Sequence, residues 1–265
     1  ITLKMWLFPH FLLKGYMEIS SKTNPKIVEI LKLKQKKYRL EKNQVLLEGR
    51  KVIQESVNAG YKIKYLIVTA KTMELKNCFE YEELLIVTES IASSLSFAVT
   101  SQNIFAVVNL PLKSDFRLKN NVLVLDKLQN PDNLGAIIRT AVATDFTDIL
   151  AVDSVDFFND KTVRASMGNV FKVNYKNCSY EDVKKMLNGY QILVADMDGK
   201  NIFEQKKFSN KVALVIGNEG NGVSDQMLAI SNEKISIPMQ NDVESLNASV
   251  SAGIIMYKIK LSQGE

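Results

Sequence analysis

Short apolar runs alternate with amphipathic segments along most of the chain. Runs rich in valine, leucine and isoleucine are typical of strands buried on both faces of a parallel sheet, and four of them lie at 122–125, 149–152, 190–195 and 212–216. Between such runs the apolar residues take helical spacing, as with Val52, Ile53 and Val57 in the segment 50–58. The pattern therefore predicts an α/β protein.

The alternation divides the chain into two parts. Strand-like runs with helices between them predict a small α/β domain over residues 17–110, called the front domain below. Pro111 and the polar residues after it predict a linker over 111–120, and residues 121–265 predict a second domain with a largely parallel sheet, the rear domain. Residues 1–16 carry an apolar patch too short to span a membrane. We expect this stretch to be an extension upstream of a natural start at Met17, or alternatively a packing arm.

Charge and cysteine content narrow the class of protein. The formal net charge is +5, and the stretch from Lys22 to Lys42 alone holds eight cationic and two anionic side chains. Such a stretch fits either a nucleic-acid contact or a solvated helix face. The two cysteines, Cys78 and Cys178, are far apart, which predicts a reducing compartment without a structural disulfide, and we expect a cytoplasmic protein. The single histidine, His10, argues against a histidine-based zinc site or catalytic triad, so no metal is expected.

Polar loops follow three predicted strands of the rear domain. The sequence GNEGNG at 217–222 follows one strand, and a loop ending in the helix start SLNAS at 245–249 follows another. Neither matches the dinucleotide fingerprint or the P-loop, but loops at strand ends form ligand sites. The third loop reaches Asn133 at a predicted loop-to-helix boundary near Gly135, and Arg139 follows in an otherwise apolar helix. We expect that guanidinium to find an anion, because a buried unpaired charge is very costly.

Three of these stretches resemble a known family. NPDNLGAIIRTA, LVIGNEGNGVS and ISIPMQNDVESLNASVSAG are similar, in order and spacing, to the signature motifs of the SpoU–TrmH RNA 2′-O-ribose methyltransferases of the SPOUT superfamily. TVRASMGNVF resembles the family's intermediate motif, and KYRLEKNQVLLEGRKVIQESVNAG resembles the RNA-binding domain, similar to a ribosomal protein, that many members carry in front. The resemblance covers Met17 to about Lys260. It implies a rear domain with a deep trefoil knot, a homodimer without membrane contact, and S-adenosylmethionine as cofactor.

The resemblance also implies roles for individual residues. The cofactor-binding positions that it implies are Gly217, Asn218, Ile237, Met239, Ser245 and Leu246. The polar active-site positions are Asn133, Arg139, Glu219, Ser245 and Asn247. The RNA-binding candidates of the front domain are Lys32, Lys34, Lys36, Lys37, Arg39 and Arg50. Purely structural roles compete with several of these, because Ile237 and Leu246 also fit a plain core and Glu219 and Asn247 also fit helix or loop caps.

The function that the resemblance implies is 2′-O-methylation of a ribose in structured RNA, with 23S ribosomal RNA preferred and tRNA as the alternative. In this reading Arg139 binds the neighbouring phosphate and steadies charge on the 2′-oxygen, because a group with a pKa above ~12 is a poor base at neutral pH. A non-catalytic RNA-binding relative and a base methyltransferase remain as rival hypotheses. A small-molecule methyltransferase of the Rossmann type is a more distant one, because the loop after the first strand of the rear domain, Asp126 to Gln129, contains no glycine.

Overall fold

The computed structural model of the protein describes residues 18–111, 116–240 and 245–264. The expected extension at 1–16, the expected start at Met17, the middle of the expected linker and residues 241–244 of the last polar loop lie outside the described residues.

The described strands form two sheets flanked by helices. The strands are β1 (Gln44–Glu48), β2 (Ile63–Val68), β3 (Tyr81–Ile86), β4 (Ile104–Asn109), β5 (Val122–Asp126), β6 (Asp148–Val152), β7 (Asn174–Asn177), β8 (Gln191–Asn201), β9 (Val212–Ile216) and β10 (Glu233–Ser236). The helices are α1 (Pro25–Lys32), α2 (Lys36–Lys42), α3 (Arg50–Asn58), α4 (Glu89–Leu95), α5 (Pro131–Thr144), α6 (Asp160–Ala165), α7 (Tyr180–Met186), α8 (Asp225–Leu228) and α9 (Ala248–Gln263).

The front domain is built on a mixed sheet with the strand order β1-β4-β2-β3. β4 pairs antiparallel with β1 and β2, whereas β3 joins β2 in parallel. Helices α1 and α4 cover one face, where Ile30 and Leu95 pack with Ile67 and Phe105. Helix α3 covers the other face through Ile53. The alternation of β-branched runs and amphipathic segments thus produces the predicted strands and helices, while the division of the chain into two domains stays a prediction.

The rear domain is built on a parallel sheet with the strand order β10-β8-β9-β5-β6-β7. Successive strands β5, β6 and β7 lie outward on one side, and β9, β8 and β10 lie on the other. The direction of winding therefore reverses between β5 and β9, which is where ligands bind in open α/β sheets. Helices α5 and α9 cover one face, and α7 and α8 cover the other. The predicted fold class is confirmed, while the trefoil knot stays a prediction.

One apolar cluster runs through both domains. It joins Leu47 and Ile53 of the front domain to Leu134 and Phe171 of the rear domain. Tyr61 packs edge-on against Phe171 with the ring centres 5.0 Å apart. The two domains therefore share a hydrophobic core rather than meeting across a hydrated gap.

Ion pairs cross the same boundary between the domains. Arg39 of α2 pairs with Asp156 of the loop after β6. Lys172 Nζ lies 2.6 Å from Glu55 Oε2 of α3. The second half of the expected linker is also held in place, because the backbone N–H of Lys119 donates to Asp148 Oδ2 at 2.6 Å.

Several local predictions differ from the structure. Helix α5 begins at Pro131 rather than near Gly135, because the Asn130 side chain caps it by accepting from the N–H groups of Asp132 and Asn133. Asn133 is therefore the third residue of the helix and not its boundary. The basic stretch from Lys22 to Lys42 forms two short helices, α1 and α2, rather than one helix with a solvated face. Strand β7 has no apolar run and escapes prediction.

No helix within the described ranges is both long and apolar enough to cross a bilayer. Among the same residues, no group of three or more His, Cys, Asp and Glu side chains could hold a metal ion.

Candidate active site

A cavity of about 740 Å³ opens where β9 and β10 end, next to the middle of β8 and the first turn of α9. The six residues predicted to bind the cofactor all line it, and they are Gly217, Asn218, Ile237, Met239, Ser245 and Leu246. Glu219 and Asn247 of the predicted active-site set line it as well. The parallel sheet brings these residues together, because its strands deliver their carboxyl ends to the same edge.

The GNEGNG loop folds back on itself at the cavity wall. Asn218 and Gly222 exchange two backbone hydrogen bonds of 2.9 and 3.0 Å, and Asn218 Oδ1 accepts from the N–H groups of Gly220 and Asn221 at 3.0 Å. Gly222 has a φ of +67°, in the left-handed region that favours glycine. A Cβ on Gly217 would lie 2.4 Å from the Gly222 carbonyl carbon, so only glycine fits there. Three glycines of the loop, Gly217, Gly220 and Gly222, line the cavity with backbone atoms, because they carry no side chain.

A chain of side-chain hydrogen bonds runs along the edge of the cavity. Glu219 accepts from the backbone N–H groups of Gln129 at 3.3 Å and Asn130 at 3.1 Å, and from Asn133 Nδ2 at 3.0 Å. Asn133 Oδ1 in turn accepts from Asn247 Nδ2 at 2.9 Å. Three residues from three separate motifs, Glu219, Asn133 and Asn247, are therefore joined directly.

The charge of Glu219 is set by these donors. Partial burial raises the pKa of its carboxyl, but the hydrogen bonds from Asn133, from its own backbone N–H and from those of Gln129 and Asn130 outweigh burial, so the pKa lies below its ordinary value. Glu219 is consequently an anion at neutral pH that fixes the loop before α5.

Asn247 serves two elements at once. Its Oδ1 accepts from the backbone N–H of Ser249 at 2.8 Å and so caps α9, while its Nδ2 donates to Asn133. The structural role and the predicted site role are thus compatible. Ser245, two residues earlier, lines the cavity at its open side.

Arg139 lies apart from the other predicted active-site residues. It is exposed on α5 and does not line the cavity. Within the part of the chain that the structure describes, no hydrogen bond or ion pair holds its guanidinium. The expectation that Arg139 is buried in α5 is therefore wrong, while its binding of an anion stays a prediction.

Two of the predicted RNA-binding residues have structural partners instead. The Arg39 side chain is buried, donating to backbone carbonyls at the end of α1 and pairing with Asp156, so its guanidinium is not available to a phosphate. Lys34 Nζ donates to the carbonyls of Ser94 at 2.7 Å and Ser96 at 2.8 Å, and burial lowers its pKa. The remaining four candidates, Lys32, Lys36, Lys37 and Arg50, are exposed.

Sequence reasoning missed the contribution of β8 to the cavity. Ala195, Asp196 and Met197 line it from the middle of β8, directly after Val194, the last residue of β8 that pairs with β9. Asp196 pairs with Lys234 at 2.8 Å, and this partner lowers the pKa of the carboxyl. The run of β8 alone does not reveal that this strand lies beside β9, so no local signal pointed to these residues.

Comparisons with known proteins agree with this arrangement. The SpoU rRNA Methylase family matches residues 120–257, and the MRM3-like substrate binding domain matches residues 24–106. The chain is 29% identical over 247 residues to the 23S rRNA (guanosine(2553)-2′-O)-methyltransferase RlmP of Bacillus subtilis (strain 168). The aligned region covers 92% of this chain and 99% of the relative.

Solved structures resemble the whole chain in the same way. The crystal structure of an AdoMet-bound rRNA methyltransferase from Sinorhizobium meliloti has a TM-score of 0.81 at 26% identity, covering 93% of this chain and 98% of that one. A crystal structure of an RNA 2′-O ribose methyltransferase has a TM-score of 0.79 at 25% identity, covering 94% and 100%. With its parallel sheet, its glycine loop and its matched motifs, the chain belongs to the SpoU rRNA Methylase family.

Proposed function

We propose that the protein transfers a methyl group from S-adenosylmethionine to a ribose 2′-hydroxyl of 23S ribosomal RNA. The observation that carries the proposal is the series of hydrogen bonds from Glu219 through Asn133 to Asn247 at the edge of a cavity lined by backbone groups. The relative from Bacillus subtilis is named as a 23S rRNA ribose 2′-O-methyltransferase, and it matches this chain over nearly its whole length. This match supports the substrate class.

The cavity fits this cofactor. Its volume of about 740 Å³ is in the range of small-molecule sites, and its wall combines apolar side chains with exposed backbone. Ile237 and Leu246 offer an apolar surface for adenine. The loop from Gly217 offers backbone C=O groups for polar atoms, since the N–H groups of residues 218, 220, 221 and 222 are already bonded within the loop. The carboxylate of Glu219 suits a ligand that carries positive charge, whereas Asp196 is already paired with Lys234.

Bound S-adenosylmethionine supplies an electrophilic methyl group on a sulfonium, so the protein needs to position the ribose rather than perform the hard chemistry. Asn247 and Ser245 orient the hydroxyl by hydrogen bonding. Glu219 holds the Asn133 amide in one orientation, which in turn fixes Asn247. The lowered pKa of Glu219 makes it a weak base, so its role is to hold this arrangement.

Arg139 completes the site from a second copy of the chain. It is exposed on α5, next to α9, where a partner subunit would bring it to the other cavity. There its planar guanidinium binds the phosphate beside the target ribose and steadies negative charge on the 2′-oxygen.

The exposed side of α9 supports this homodimer. Val250, Tyr257 and Leu261 are 48%, 49% and 66% exposed, and with half-buried Ile254 they recur at spacings of four and three residues along one helical face. An apolar stripe of this kind beside a free arginine suits a self-complementary contact with a second copy.

The front domain supplies the grip on RNA. The four exposed cations Lys32, Lys36, Lys37 and Arg50 contact phosphates more than bases, so they add affinity without reading sequence. A cytoplasmic location is part of the same proposal and rests on the two distant cysteines.

Labelled S-adenosylmethionine and separate 23S rRNA and tRNA transcripts test the function. We expect label in 23S rRNA, and we expect it in nuclease-resistant dinucleotides after digestion, because a 2′-O-methyl group blocks cleavage at that ribose. Label in mononucleotides would show base methylation. Label in tRNA alone would refute the ribosomal assignment, and cofactor binding without transfer to either RNA would refute catalysis.

A further inference from the structure

Arg39 joins the front domain to the rear domain through a side chain that is almost fully shielded from solvent. Its Nη1 donates to the carbonyls of Leu33 at 2.9 Å and Lys34 at 2.8 Å, both at the end of α1, and its Nη2 pairs with Asp156. The exposed fractions of the Arg39 and Asp156 side chains are 7% and 15%. Because loss of either partner leaves a buried charge, the contact fixes where α1 and α2 lie against the loop after β6.

The loop that carries Asp156 is bonded to the loop after β5. Val155 N–H donates to the Leu128 carbonyl at 2.8 Å, and Leu128 N–H donates to Ser154 Oγ at 3.0 Å. Gln129 Nε2 also donates to the carbonyl of Asp153 at 3.0 Å. These three bonds make the two loops one unit, so a displacement of Asp156 displaces both.

The loop after β5 is the one that Glu219 holds at the cavity. Glu219 accepts from Gln129 and Asn130, and Asn133 follows one turn later with its bond to Asn247. Direct contacts therefore lead without interruption from the end of α1 to the active-site edge. The exposed lysines proposed to grip RNA lie on and beside α1 and α2, at the other end of this series.

We propose that Arg39 is a positioning residue for methyl transfer, one that sets α1 and α2 relative to the cavity. RNA held by the front domain then presents its target ribose to the site in the other domain. The inference rests on the proposed function and gives Arg39 a part in it without any contact to RNA or cofactor. Lysine cannot replace it, because one ammonium lacks the planar fork that serves two carbonyls and a carboxylate together.

The first measurement reads the position of the domains without activity. Spin labels are placed on Cys78, which is exposed in the front domain, and on Glu181→Cys in the rear domain, in a Cys178→Ser background. Labelled chains are diluted with unlabelled protein, so that only distances within one chain are read. We expect one narrow distance distribution for the otherwise native protein and a broadened or shifted one for Arg39→Met.

The second measurement is steady-state methylation of a 23S rRNA transcript. For Arg39→Met we expect kcat/KM for the RNA to fall at least tenfold, while the calorimetric Kd for S-adenosylmethionine changes less than twofold. Asp156→Asn removes the same ion pair with almost no change in volume and should reproduce both effects. The Asp156→Asn variant also keeps the inference testable if Arg39→Met fails to fold. The double variant should be no worse than either single one, because both remove one interaction.

Lys200→Met is the matched control, since it removes an exposed ion pair inside the rear sheet and should change neither readout. A narrow native distribution together with reduced turnover would overturn the positioning role, and so would a broadened distribution with native turnover. If the unmodified protein methylates no RNA, the proposed function itself fails. That failure is distinguishable, because it appears before any substitution of Arg39.

Discussion

Gly217→Ala is the sharpest test of the backbone-lined cavity. A Cβ at this position would lie 2.4 Å from both the carbonyl carbon and oxygen of Gly222, and 2.5 Å from the backbone nitrogen of Val223. All three are backbone atoms of the loop itself, so no flexible side chain can move aside. Ordinary contact begins near 3.4 Å, and the Gly222–Val223 peptide must therefore shift by about 1 Å.

The size of the effect follows from this overlap. Overpacking of this kind costs ~1–3 kcal/mol. We expect Tm to fall by several degrees, because 1 kcal/mol corresponds to about 2–4 °C in a protein of this size. The shifted peptide also lines the cavity, so we expect calorimetry to show a Kd for S-adenosylmethionine raised by about tenfold or more, equivalent to ~1.4 kcal/mol.

Gly220→Ala is the matched control in the same loop. Among the residues that the structure describes, a Cβ there would meet only Asn218 Oδ1, at an ordinary 3.7 Å, and Gly220 has no left-handed φ. We expect its Tm to stay close to the native value, so that the lower Tm of Gly217→Ala can be assigned to the overlap at Gly217. If Gly217→Ala binds the cofactor with native affinity, the loop does not form the binding wall and the reasoning is refuted.

Four further outcomes are expected. Asn247→Ala removes the cap of α9 and the donor to Asn133, so unfolding free energy should fall by ~1 kcal/mol and turnover should fall more than cofactor affinity; Asn247→Asp keeps the cap, and native turnover in it would contradict the role of the donor. The lowered pKa of Glu219 means that its stabilisation is present above its ordinary value of 4.5 and is lost as pH falls through the lower folded-state value; acid-melting curves of Glu219→Gln should lack that loss, and unchanged curves would count against it. Tyr257→Glu should yield monomers in sedimentation, and an intact dimer would exclude the α9 stripe as the contact. Affinity for RNA should fall steeply with salt, whereas a flat response would make the exposed lysines of α1 and α2 a solvated surface.

Continuous apolar runs made the rear sheet predictable. The runs predicted at 122–125 and 212–216 correspond to β5 (Val122–Asp126) and β9 (Val212–Ile216), because strands buried on both faces need apolar residues at every position. The resemblance to the family's motifs located the cavity residues, since those motifs lie in the loops that follow the strands. The order of the strands in the sheet could not be read from any single run, so the contribution of β8 was missed.

Arg139 and Arg39 were misjudged for opposite reasons. Arg139 lies on a helical face shared with Ala136 and Ala143, and alanine fits buried and exposed positions equally well, so the exposed side of α5 looked apolar. Arg39 stands among lysines that are solvated, yet its partner Asp156 lies 117 residues away. Such burial depends on tertiary contacts that a local charge pattern does not contain.

The apolar cluster that continues from Leu47 through Phe171 bears on how the protein can be rebuilt. A rear domain produced alone would expose Phe171 and its apolar neighbours to solvent. A front domain taken from another protein would have to reproduce the shape of Tyr61 and α3 to cover this apolar surface. The front domain therefore cannot be exchanged as an independent unit to change substrate specificity. The interface between the domains must be redesigned together with the new front domain. For the same reason, both domains should unfold in one calorimetric transition on heating.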